Sequence, residues 1–480
     1  MKTLHLTNSW HETSGGIATF YRALIREANR RGHEICLIVP AEADRVEQAG
    51  EFGRIYHLRA PKARFNSDYR VIYPSQFIPP GSKIQQILAF ERPDLVEICD
   101  KYTLNYLGAL LRMRLVERLD FRPLVVGLSQ ERMDDNFRAY LGAIPFAAQF
   151  CSVYMKWLYF PFFDHHITNS EYTADELRSA ARGQLVPRGT WVRPMGVDLG
   201  RLSPQRRRPD LRRRLLQEFG ASEEAVLLLY VGRLVPEKNL SLLFDLLDRL
   251  SGGSERDYRL LVVGEGIERD LWESKCAAHM PGRALFLGHI HDKDVLADLY
   301  ANADIFIHPN PREPFGIAPL EAMASGLPLV VPDAGGVTSY ANPENAWTVP
   351  AEVESYAAAV EETVTNRDLA AAKTLKAIEA ARQFEWAPAA ASFLDLYEQL
   401  KHLEAEVNTL GAPAFCSTPA RGVQAALMRG AAHIAEKGFQ LWSRLTPAAD
   451  SRQTSETSYQ PAQTIEMSDS EGARLAGPRY

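Results

Sequence analysis

Residues 226–263 read VLLLYVGRLVPEKNLSLLFDLLDRLSGGSERDYRLLVV. Two short aliphatic runs, residues 226–231 and 258–263, flank a longer segment whose leucines recur at helical spacing. Short apolar runs separated by a helical pattern are typical of βαβ units in parallel sheets, whose strands are covered on both faces. The stretch therefore predicts two neighbouring parallel strands joined by a helix.

The same alternation of short apolar runs and helical patterns continues in both directions along the chain. Further strands are predicted at residues 3–7, 34–39, 95–98, 124–128 and 165–169 in the first half, and at residues 283–287, 305–308 and 329–332 in the second. Helical patterns lie between them, for example at residues 17–31 and 102–116. Two such series predict an α/β fold with two doubly wound, Rossmann-like parallel-sheet domains.

The predicted domain limits follow from where these series end. The first domain is predicted to cover residues 1–200 and the second residues 201–385. Residues 386–405 predict one more helix. Its apolar face consists of Ala390, Phe393, Leu394 and Tyr397. The tail, residues 406–480, contains an amphipathic helical pattern at 418–445 and then a polar end that is expected to be disordered.

The composition excludes several classes of protein. The chain has 480 residues, 46% of them hydrophobic, and a formal net charge of −6, which fits an ordinary globular protein and argues against nucleic acid as a partner. Its five cysteines are scattered without metal-ligand spacing, which indicates a reducing, cytoplasmic location. No apolar leader precedes the first strand, and the most apolar stretch, residues 143–163, is interrupted by Gln149 and Lys156. We therefore expect no membrane-crossing segment.

Two candidate phosphate-binding features stand where predicted strands end. The pair Gly15-Gly16 follows the first strand and opens a helix, whose free amides and positive dipole end suit an anion. A tight strand-to-helix turn would explain the same glycines. Arg233 and Lys238 follow the strand at 226–231, and ligands of open α/β sheets bind outside the carboxyl ends of the strands. Two cations there suit a diphosphate, although surface cations are often only solvated.

The most specific signal is the stretch from Glu313 to Glu321, which reads EPFGIAPLE. Glu313 is predicted to lie in a loop, Pro319 to begin a helix, and Glu321 to project one turn into it. Free amides at the helix start suit a phosphate or a sugar hydroxyl, and the two carboxylates can accept hydrogen bonds from sugar and ribose hydroxyls. A role for Glu321 in complementing the helix dipole alone would leave Glu313 unexplained. A glycine pair, residues 335–336, follows the strand at 329–332 and places flexible backbone at the same edge.

These features together resemble glycosyltransferase family 4, whose members are retaining enzymes of the GT-B fold. The paired glutamates carry the resemblance. Shorter motifs that agree with it are Gly15-Gly16, PMGVD at 194–198, Gly232-Arg233 with Lys238-Asn239, VGEG at 263–266, LGH at 287–289 and FEW at 384–386. The resemblance covers residues 1–405 and is strongest at 225–350. It implies two Rossmann-like domains that face a central cleft, with a last helix that returns to the first domain.

Carried over residue by residue, the resemblance implies a role for each motif. Arg233 and Lys238 would hold the diphosphate, Glu321 the ribose hydroxyls, and Glu313 the donor sugar. His289 and Ile290 would lie beside the base. Further contacts to the donor would come from the backbone amides of Gly15, Gly16, Phe315, Gly316, Ile317 and Ala318.

The first domain departs from the family pattern at Gln130. Many members have a histidine near the reacting sugar carbon, at the end of the strand that corresponds to residues 124–128. Here Gln130 takes that place, with Glu131 next to it. A glutamine can bind a sugar hydroxyl but cannot shuttle a proton. Because the family's chemistry is often described as front-face, with the leaving phosphate taking the acceptor's proton, activity is still expected.

The sequence favours catalysis without a metal ion or another cofactor. Asp292 and Asp294 match the Asp-x-Asp pattern that binds divalent metals in another glycosyltransferase fold. They precede a helical pattern at 295–301, however, so helix capping explains them better. Arg233 and Lys238 would instead meet the charge that grows on the leaving diphosphate.

We therefore expect a retaining, metal-independent glycosyltransferase that moves a hexose-type sugar from a UDP- or GDP-sugar to a lipid, glycan or small-molecule acceptor. Two alternatives stay open: a GT-B nucleotide-sugar epimerase, which needs no acceptor, and a binding module without turnover, which Gln130 suggests. The aromatic run at 154–163 fits core packing better than an acceptor- or membrane-facing surface. The segment at 418–445 fits a helix packed on the protein or a peripheral contact with the inner face of a membrane.

Overall fold

The computed structural model describes residues 1–10, 16–63, 69–116, 119–141, 147–181, 189–409, 430–434, 436–437 and 440. Gly15 lies outside the described residues, as do most of the predicted helix at 418–445 and the whole polar end of the tail.

The first half of the chain forms one eight-stranded sheet. Its strands are β1 (Lys2–Thr7), β2 (Glu34–Ala41), β3 (Arg45–Gln48), β4 (Gly53–Arg59), β5 (Leu95–Cys99), β6 (Leu124–Ser129), β7 (His165–Thr168) and β8 (Thr190–Val192). Its helices are α1 (Gly16–Arg31), α2 (Lys83–Glu91), α3 (Asn105–Arg112), α4 (Met133–Leu141), α5 (Ala147–Tyr154) and α6 (Glu171–Ala181). The strand order is β3-β4-β2-β1-β5-β6-β7-β8, and every pair is parallel except the antiparallel edge pair β3–β4.

The second half forms a six-stranded, fully parallel sheet. Its strands are β9 (Val226–Val231), β10 (Tyr258–Val263), β11 (Ala284–Gly288), β12 (Ile305–Ile307), β13 (Leu329–Pro332) and β14 (Trp347–Val349). Its helices are α7 (Pro209–Glu218), α8 (Leu240–Gly253), α9 (Arg269–His279), α10 (Lys293–Asn302), α11 (Ile317–Ala324), α12 (Val353–Thr365) and α13 (Arg367–Arg382). The order β11-β10-β9-β12-β13-β14 reverses direction between β9 and β12. Such a switch point opens a crevice at the carboxyl ends of the strands, where ligands of doubly wound folds bind.

These two sheets confirm the predicted α/β fold with two doubly wound domains. The strands at 226–231, 258–263 and 329–332 have the predicted limits. The helix predicted at 102–116 is shorter, since α3 begins only at Asn105. The reason is that Asp100 Oδ1 accepts hydrogen bonds from the amides of the three residues just before the helix. These amides, of Tyr102, Thr103 and Leu104, lie 2.6–2.9 Å from it. A side chain that binds these amides holds the backbone in a turn before the helix begins.

Two connecting segments join the sheets, and they pair with each other. The backbone amide of Val197 donates to the Phe384 oxygen (2.6 Å), and the amide of Trp386 donates to the Val197 oxygen (3.3 Å). The chain then enters the last long helix, α14 (Trp386–Thr409), which leaves the second sheet and packs against α1. The domain limits themselves stay predictions.

Helix α14 is anchored to the first sheet by apolar packing and by one buried polar network. The four residues of its predicted apolar face are all buried, and the rings of Phe393 and Phe20 lie 4.7 Å apart. The Tyr397 hydroxyl donates to Glu97 in the middle of β5. Glu97 also bonds His5 on β1 (2.9 Å) and Tyr21 on α1 (3.1 Å). Removing one partner of such a network would leave a buried carboxylate unsatisfied.

The aromatic run at 154–163 is mainly core, as predicted. Tyr154, Tyr159, Phe160, Phe162 and Phe163 are buried, whereas Trp157 is 61% exposed. In the part of the chain that the structure describes, no helix combines the length and the apolar character needed to cross a bilayer.

Candidate active site

The carboxyl ends of the two sheets face each other, and several contacts bridge the cleft between them. The hydroxyls of Ser170 and Thr173, at the start of α6, donate to the backbone oxygen of Pro314, the latter at 3.3 Å. A Cβ added to Gly16, the first residue of α1, would lie 2.8 Å from Ile317 Cδ1 at the start of α11. The structure therefore brings the glycine of the first domain against the glutamate motif of the second.

Lys238 and Glu313 form a half-buried ion pair at the switch point. Lys238 ends a 3-10 turn (Pro236–Lys238) after β9, and Glu313 lies in the loop after β12. The distance from Lys238 Nζ to Glu313 Oε2 is 2.7 Å, and Asn310 Nδ2 donates to the same oxygen at 3.2 Å. Burial alone would raise the pKa of Glu313. Lys238, His308 and Asn310 outweigh burial and lower the pKa to about 2. The carboxylate is therefore charged at every pH at which the protein is expected to work.

His308 lies directly behind this ion pair. It is only 5% exposed, and its Nε2 lies 3.6 Å from Glu313 Oε2. Neither ring nitrogen has a hydrogen-bond partner among the described residues. Burial lowers the pKa of His308 to about 4; Glu313 opposes this change and Lys238 adds to it. The ring is therefore neutral near pH 7.

Arg233 is held by a second carboxylate. Its Nη2 donates to Glu237 Oε1 at 2.7 Å, while the guanidinium remains 62% exposed. The hydroxyl of Tyr140, on α4 of the first domain, donates to the other oxygen of Glu237. The two cations predicted to bind a diphosphate therefore each bind a glutamate in the structure.

Helix α11 begins at Ile317, two residues earlier than predicted. Gly316 has φ 84°, a left-handed conformation that reverses the chain just before the helix, and Pro319 is tolerated because it lies in the first turn. The amides of Ile317 and Ala318 belong to that first turn, which leaves them without intrahelical partners. The Phe315 side chain is buried against Tyr340 (ring centroids 5.3 Å apart), so only its backbone can contact a ligand.

The glycine pair at 335–336 supports the loop that carries Glu313. The Gly336 amide donates to the backbone carbonyl oxygen of Glu313 at 2.6 Å. A Cβ on Gly336 would lie 1.9 Å from the Pro314 oxygen, closer than any side chain tolerates. The predicted flexible backbone at this edge is therefore a close backbone-to-backbone contact.

Glu321 lies in a different electrostatic setting from Glu313. The Tyr300 hydroxyl donates to its Oε2 at 2.8 Å, and no ion pair reaches it from the described residues. Burial raises the pKa of Glu321, and the bond from Tyr300 opposes this change. The carboxylate is thus available to accept hydrogen bonds from a ligand.

Gln130 directly follows β6, at the cleft edge of the first sheet. Its side-chain Nε2 is buried and has no hydrogen-bond partner in the described part of the chain. A buried ion pair fixes the adjoining loop. Lys101 Nζ donates to Glu176 Oε2 and to the backbone carbonyl oxygen of Glu131, each at 2.5 Å. Glu176 in turn accepts the Met133 amide at 2.7 Å. An unpaired buried amide on such a fixed loop is suited to a ligand hydroxyl.

The remaining predicted residues lie around the end of β11. His289 is exposed, with its ring 4.5 Å from that of His291, and Ile290 is half-buried. Asp292 caps α10 by accepting the amides of Asp294 (2.8 Å) and Val295 (3.4 Å), which confirms the predicted capping role. Across the described residues, no group of three or more His, Cys, Asp or Glu side chains is arranged to hold a metal ion.

Known proteins share both the sequence and the fold. Residues 14–201 match Glycosyltransferase Family 4, and residues 212–384 match Glycosyl transferases group 1. A GDP-mannose-dependent alpha-(1-6)-phosphatidylinositol dimannoside mannosyltransferase of Mycobacterium tuberculosis is 30% identical over 396 residues, which is 82% of this chain and 95% of the relative. The chain belongs to glycosyltransferase family 4. A second relative, a GDP-mannose-dependent alpha-mannosyltransferase of the same species, is 30% identical over 326 residues, 67% of this chain and 76% of that protein.

The solved structures agree with this family 4 assignment at the level of the fold. The sucrose-phosphate synthase of Thermosynechococcus elongatus superimposes with a TM-score of 0.65 at 20% identity, covering 83% of this chain and 99% of that one. The predicted GT-B fold and the predicted glycosyltransferase class are therefore confirmed. The roles of individual site residues stay predictions.

Some residues of the family 4 cleft were not found by the sequence analysis. His308 and Asn310 lie beside Glu313, and the Tyr140 hydroxyl bonds Glu237. Ser170 and Thr173 bond the Pro314 oxygen. The Lys101–Glu176 ion pair lies behind Gln130. Only His308 carried a usable signal, because it follows β12 just as Arg233 follows β9.

Proposed function

We propose that this protein is a retaining, metal-independent hexosyltransferase that takes its sugar from a GDP- or UDP-sugar. GDP-mannose is the first donor to test, because relatives that align over most of their length are named as GDP-mannose-dependent mannosyltransferases. One of them acts on a phosphatidylinositol dimannoside, which supports a lipid or glycan acceptor here. No cofactor is needed in this proposal, since the nucleotide sugar is a substrate.

The observation that carries the proposal is the meeting of two cations, two glutamates and the first turn of α11 at one switch point. As the bond from the sugar to the diphosphate breaks, negative charge grows on the leaving phosphate. In this proposal Arg233, Lys238 and the amides of Ile317 and Ala318 meet this charge. Fixed donors of this kind stabilise a transition state because they need no reorganisation when the charge appears.

The test is a product analysis with labelled GDP-mannose and UDP-glucose, with and without a lipid extract as acceptor. Transfer, or slow hydrolysis without an acceptor, supports the proposal, and the anomeric configuration of the product tests retention. An epimerised sugar would instead indicate an epimerase. Recovery of the unchanged donor with tight nucleotide binding would indicate a binding module.

Replacing each of the two glutamates with glutamine is expected to change different kinetic parameters. Glu321→Gln should weaken nucleoside diphosphate binding and raise KM, about tenfold for a lost bond to a charged group, because it is assigned to the unreacting ribose. Glu313→Gln should lower kcat about tenfold or more, because it is assigned to the reacting sugar. The Glu313→Gln protein should bind nucleoside diphosphate as tightly as the natural protein or more tightly, since Lys238 no longer has to break an ion pair with Glu313.

Calorimetric titration of GDP and UDP beside steady-state rates measures both effects. Asp298→Asn, which removes one of the two carboxylates that Arg206 binds on α10, is a matched acidic control and should leave both unchanged. If Glu313→Gln lost nucleotide affinity as severely as Glu321→Gln, this division of roles would be wrong.

Activity is expected to survive excess chelator with less than about a twofold loss, because side-chain cations do the electrostatic work. The two carboxylates of the Asp-x-Asp pattern are already engaged, Asp292 in the α10 cap and Asp294 with Arg206 at 3.2 Å. Initial rates with and without EDTA provide the measurement. Complete loss that magnesium or manganese restores would contradict the metal-independent proposal.

A further inference from the structure

The ion pair between Lys238 and Glu313 raises a problem that the proposed function does not answer. A diphosphate that binds Lys238 competes with Glu313 for its ammonium, and the 2.7 Å contact with Glu313 is lost when the ammonium turns to the phosphate. Glu313 would then be a carboxylate, only 12% exposed, that has lost its cation. Losing one partner of a buried ion pair is strongly unfavourable unless another group replaces it. Asn310 alone is a neutral partner, so a further donor to Glu313 would favour donor binding.

His308 is placed to be that partner. Its Nε2 is already 3.6 Å from the same oxygen that Lys238 holds, and neither of its ring nitrogens is bonded elsewhere among the described residues. Closing the gap to an ordinary hydrogen bond needs a movement of about 0.7 Å. The backbone of His308 is fixed, since Tyr356 on α12 donates to its carbonyl oxygen at 2.7 Å. A buried imidazole without partners is costly, and its position beside a carboxylate about to lose a cation gives it a use.

We propose that His308 is a positioning residue: when a diphosphate draws Lys238 away, the imidazole takes over Glu313 and holds its carboxylate toward the donor sugar. This inference rests on the proposed function. One contact breaks, from Lys238 to Glu313, and two form, from Lys238 to a phosphate oxygen and from His308 to Glu313. Asn310 keeps its bond to Glu313 throughout.

The exchange has a measurable proton signature. The charged groups that act on the ring are Glu313, in the loop after β12, and Lys238, in the turn after β9. Burial and Lys238 hold the pKa of His308 at about 4, so the ring is neutral at pH 6 in the free protein. Once a diphosphate neutralises Lys238, the attraction of Glu313 remains and the pKa of His308 rises. The complex should therefore take up a measurable fraction of a proton per nucleotide from the buffer as the pH falls toward 6, and this proton ends on the imidazole.

The experiment is calorimetric titration of GDP and UDP into the full-length protein at pH 6 in buffers of different ionisation enthalpy. His308→Gln retains an N–H donor that can reach Glu313 but cannot titrate, whereas His308→Leu has no donor. We expect His308→Gln to bind within about threefold of the natural protein, and His308→Leu to bind about tenfold more weakly. The proton uptake of the natural protein should be missing from His308→Gln. Protons that the nucleotide itself releases cancel in this difference.

His57→Gln is the matched control, because His57 is also buried and bonds a glutamate, Glu47, at 2.9 Å, but lies on β4, next to the edge strand β3 of the first sheet. It should keep the proton uptake of the natural protein. Equal uptake by the natural protein and His308→Gln would overturn the inference, as would unweakened binding by a folded His308→Leu. If neither the natural protein nor any variant bound GDP or UDP, the proposed function would be wrong instead.

Discussion

Replacing Lys238 with alanine is expected to lower kcat for sugar transfer by about a hundredfold or more, the usual effect of losing one preorganised charge at a transition state. The leaving diphosphate loses the cation that meets its growing negative charge. In the free protein Glu313 also loses one of the three partners that lower its pKa. Nucleoside diphosphate affinity should fall as well, because the diphosphate is bound before, during and after the reaction. Steady-state rates and calorimetric titration on the same preparation measure both losses.

Lys275→Ala is the control for removing a lysine charge. Lys275 is exposed on α9, where its ammonium lies 4.4 Å from the Trp272 ring, and it has no contact with the cleft. It should leave kcat and affinity unchanged. Lys238→Arg, which keeps the charge but changes the shape, should fall between the two. A Lys238→Ala protein that kept kcat within about threefold would show that this lysine does not act on the diphosphate.

Gly336→Ala should damage both stability and activity, although Gly336 touches no substrate in the proposed function. The new methyl group would lie 1.9 Å from the Pro314 oxygen and 2.7 Å from the Phe315 amide, and both are backbone atoms that cannot rotate away. The loop that carries Glu313 must therefore shift. Forced overpacking costs about 3 kcal/mol, which should lower Tm by several degrees, and a shift of about 1 Å at a site costs about a hundredfold in rate.

Gly252→Ala on α8 is the matched control, since a Cβ there meets nothing within 4 Å. It should be neutral or slightly stabilising, because alanine favours helix more than glycine does. Thermal unfolding and transfer rates of the two variants provide the comparison. A Gly336→Ala protein as stable and active as Gly252→Ala would mean that the loop after β12 is far more yielding than its contacts indicate.

Most of the strands that the sequence predicted correctly are buried on both faces. Val226–Val231 and Tyr258–Val263 are nearly continuous aliphatic runs because helices cover them above and below. Strand β3, Arg45–Gln48, was not predicted because all four residues are exposed, and β14 because it is only three residues long. No apolar pattern marks such strands, which exist because a neighbouring strand pairs with them.

The contacts around the candidate site were predictable where one domain suffices to form them and not where two are needed. Arg233, Lys238 and Glu313 could be predicted to lie at one edge because strand ends of one sheet meet there. The bonds from Tyr140 to Glu237 and from Ser170 to Pro314 depend on how two separately folded sheets are oriented, which no local pattern encodes. His308 was missed for another reason. It was assigned to the end of strand 305–308, whereas the structure ends β12 at Ile307 and leaves His308 at the start of the loop that carries Glu313.

The anchoring of α14 on α1 has a consequence for how the chain folds as it leaves the ribosome. Helix α1 ends at Arg31, and its partner helix begins at Trp386, about 350 residues later. At ordinary elongation rates those residues take roughly 20 to 70 s to translate. Throughout that interval Phe20 lacks Phe393, and Glu97 lacks the hydroxyl of Tyr397. The first domain is therefore completed last although it is made first, so a nascent chain stalled before residue 386 should expose an apolar surface that chaperones bind.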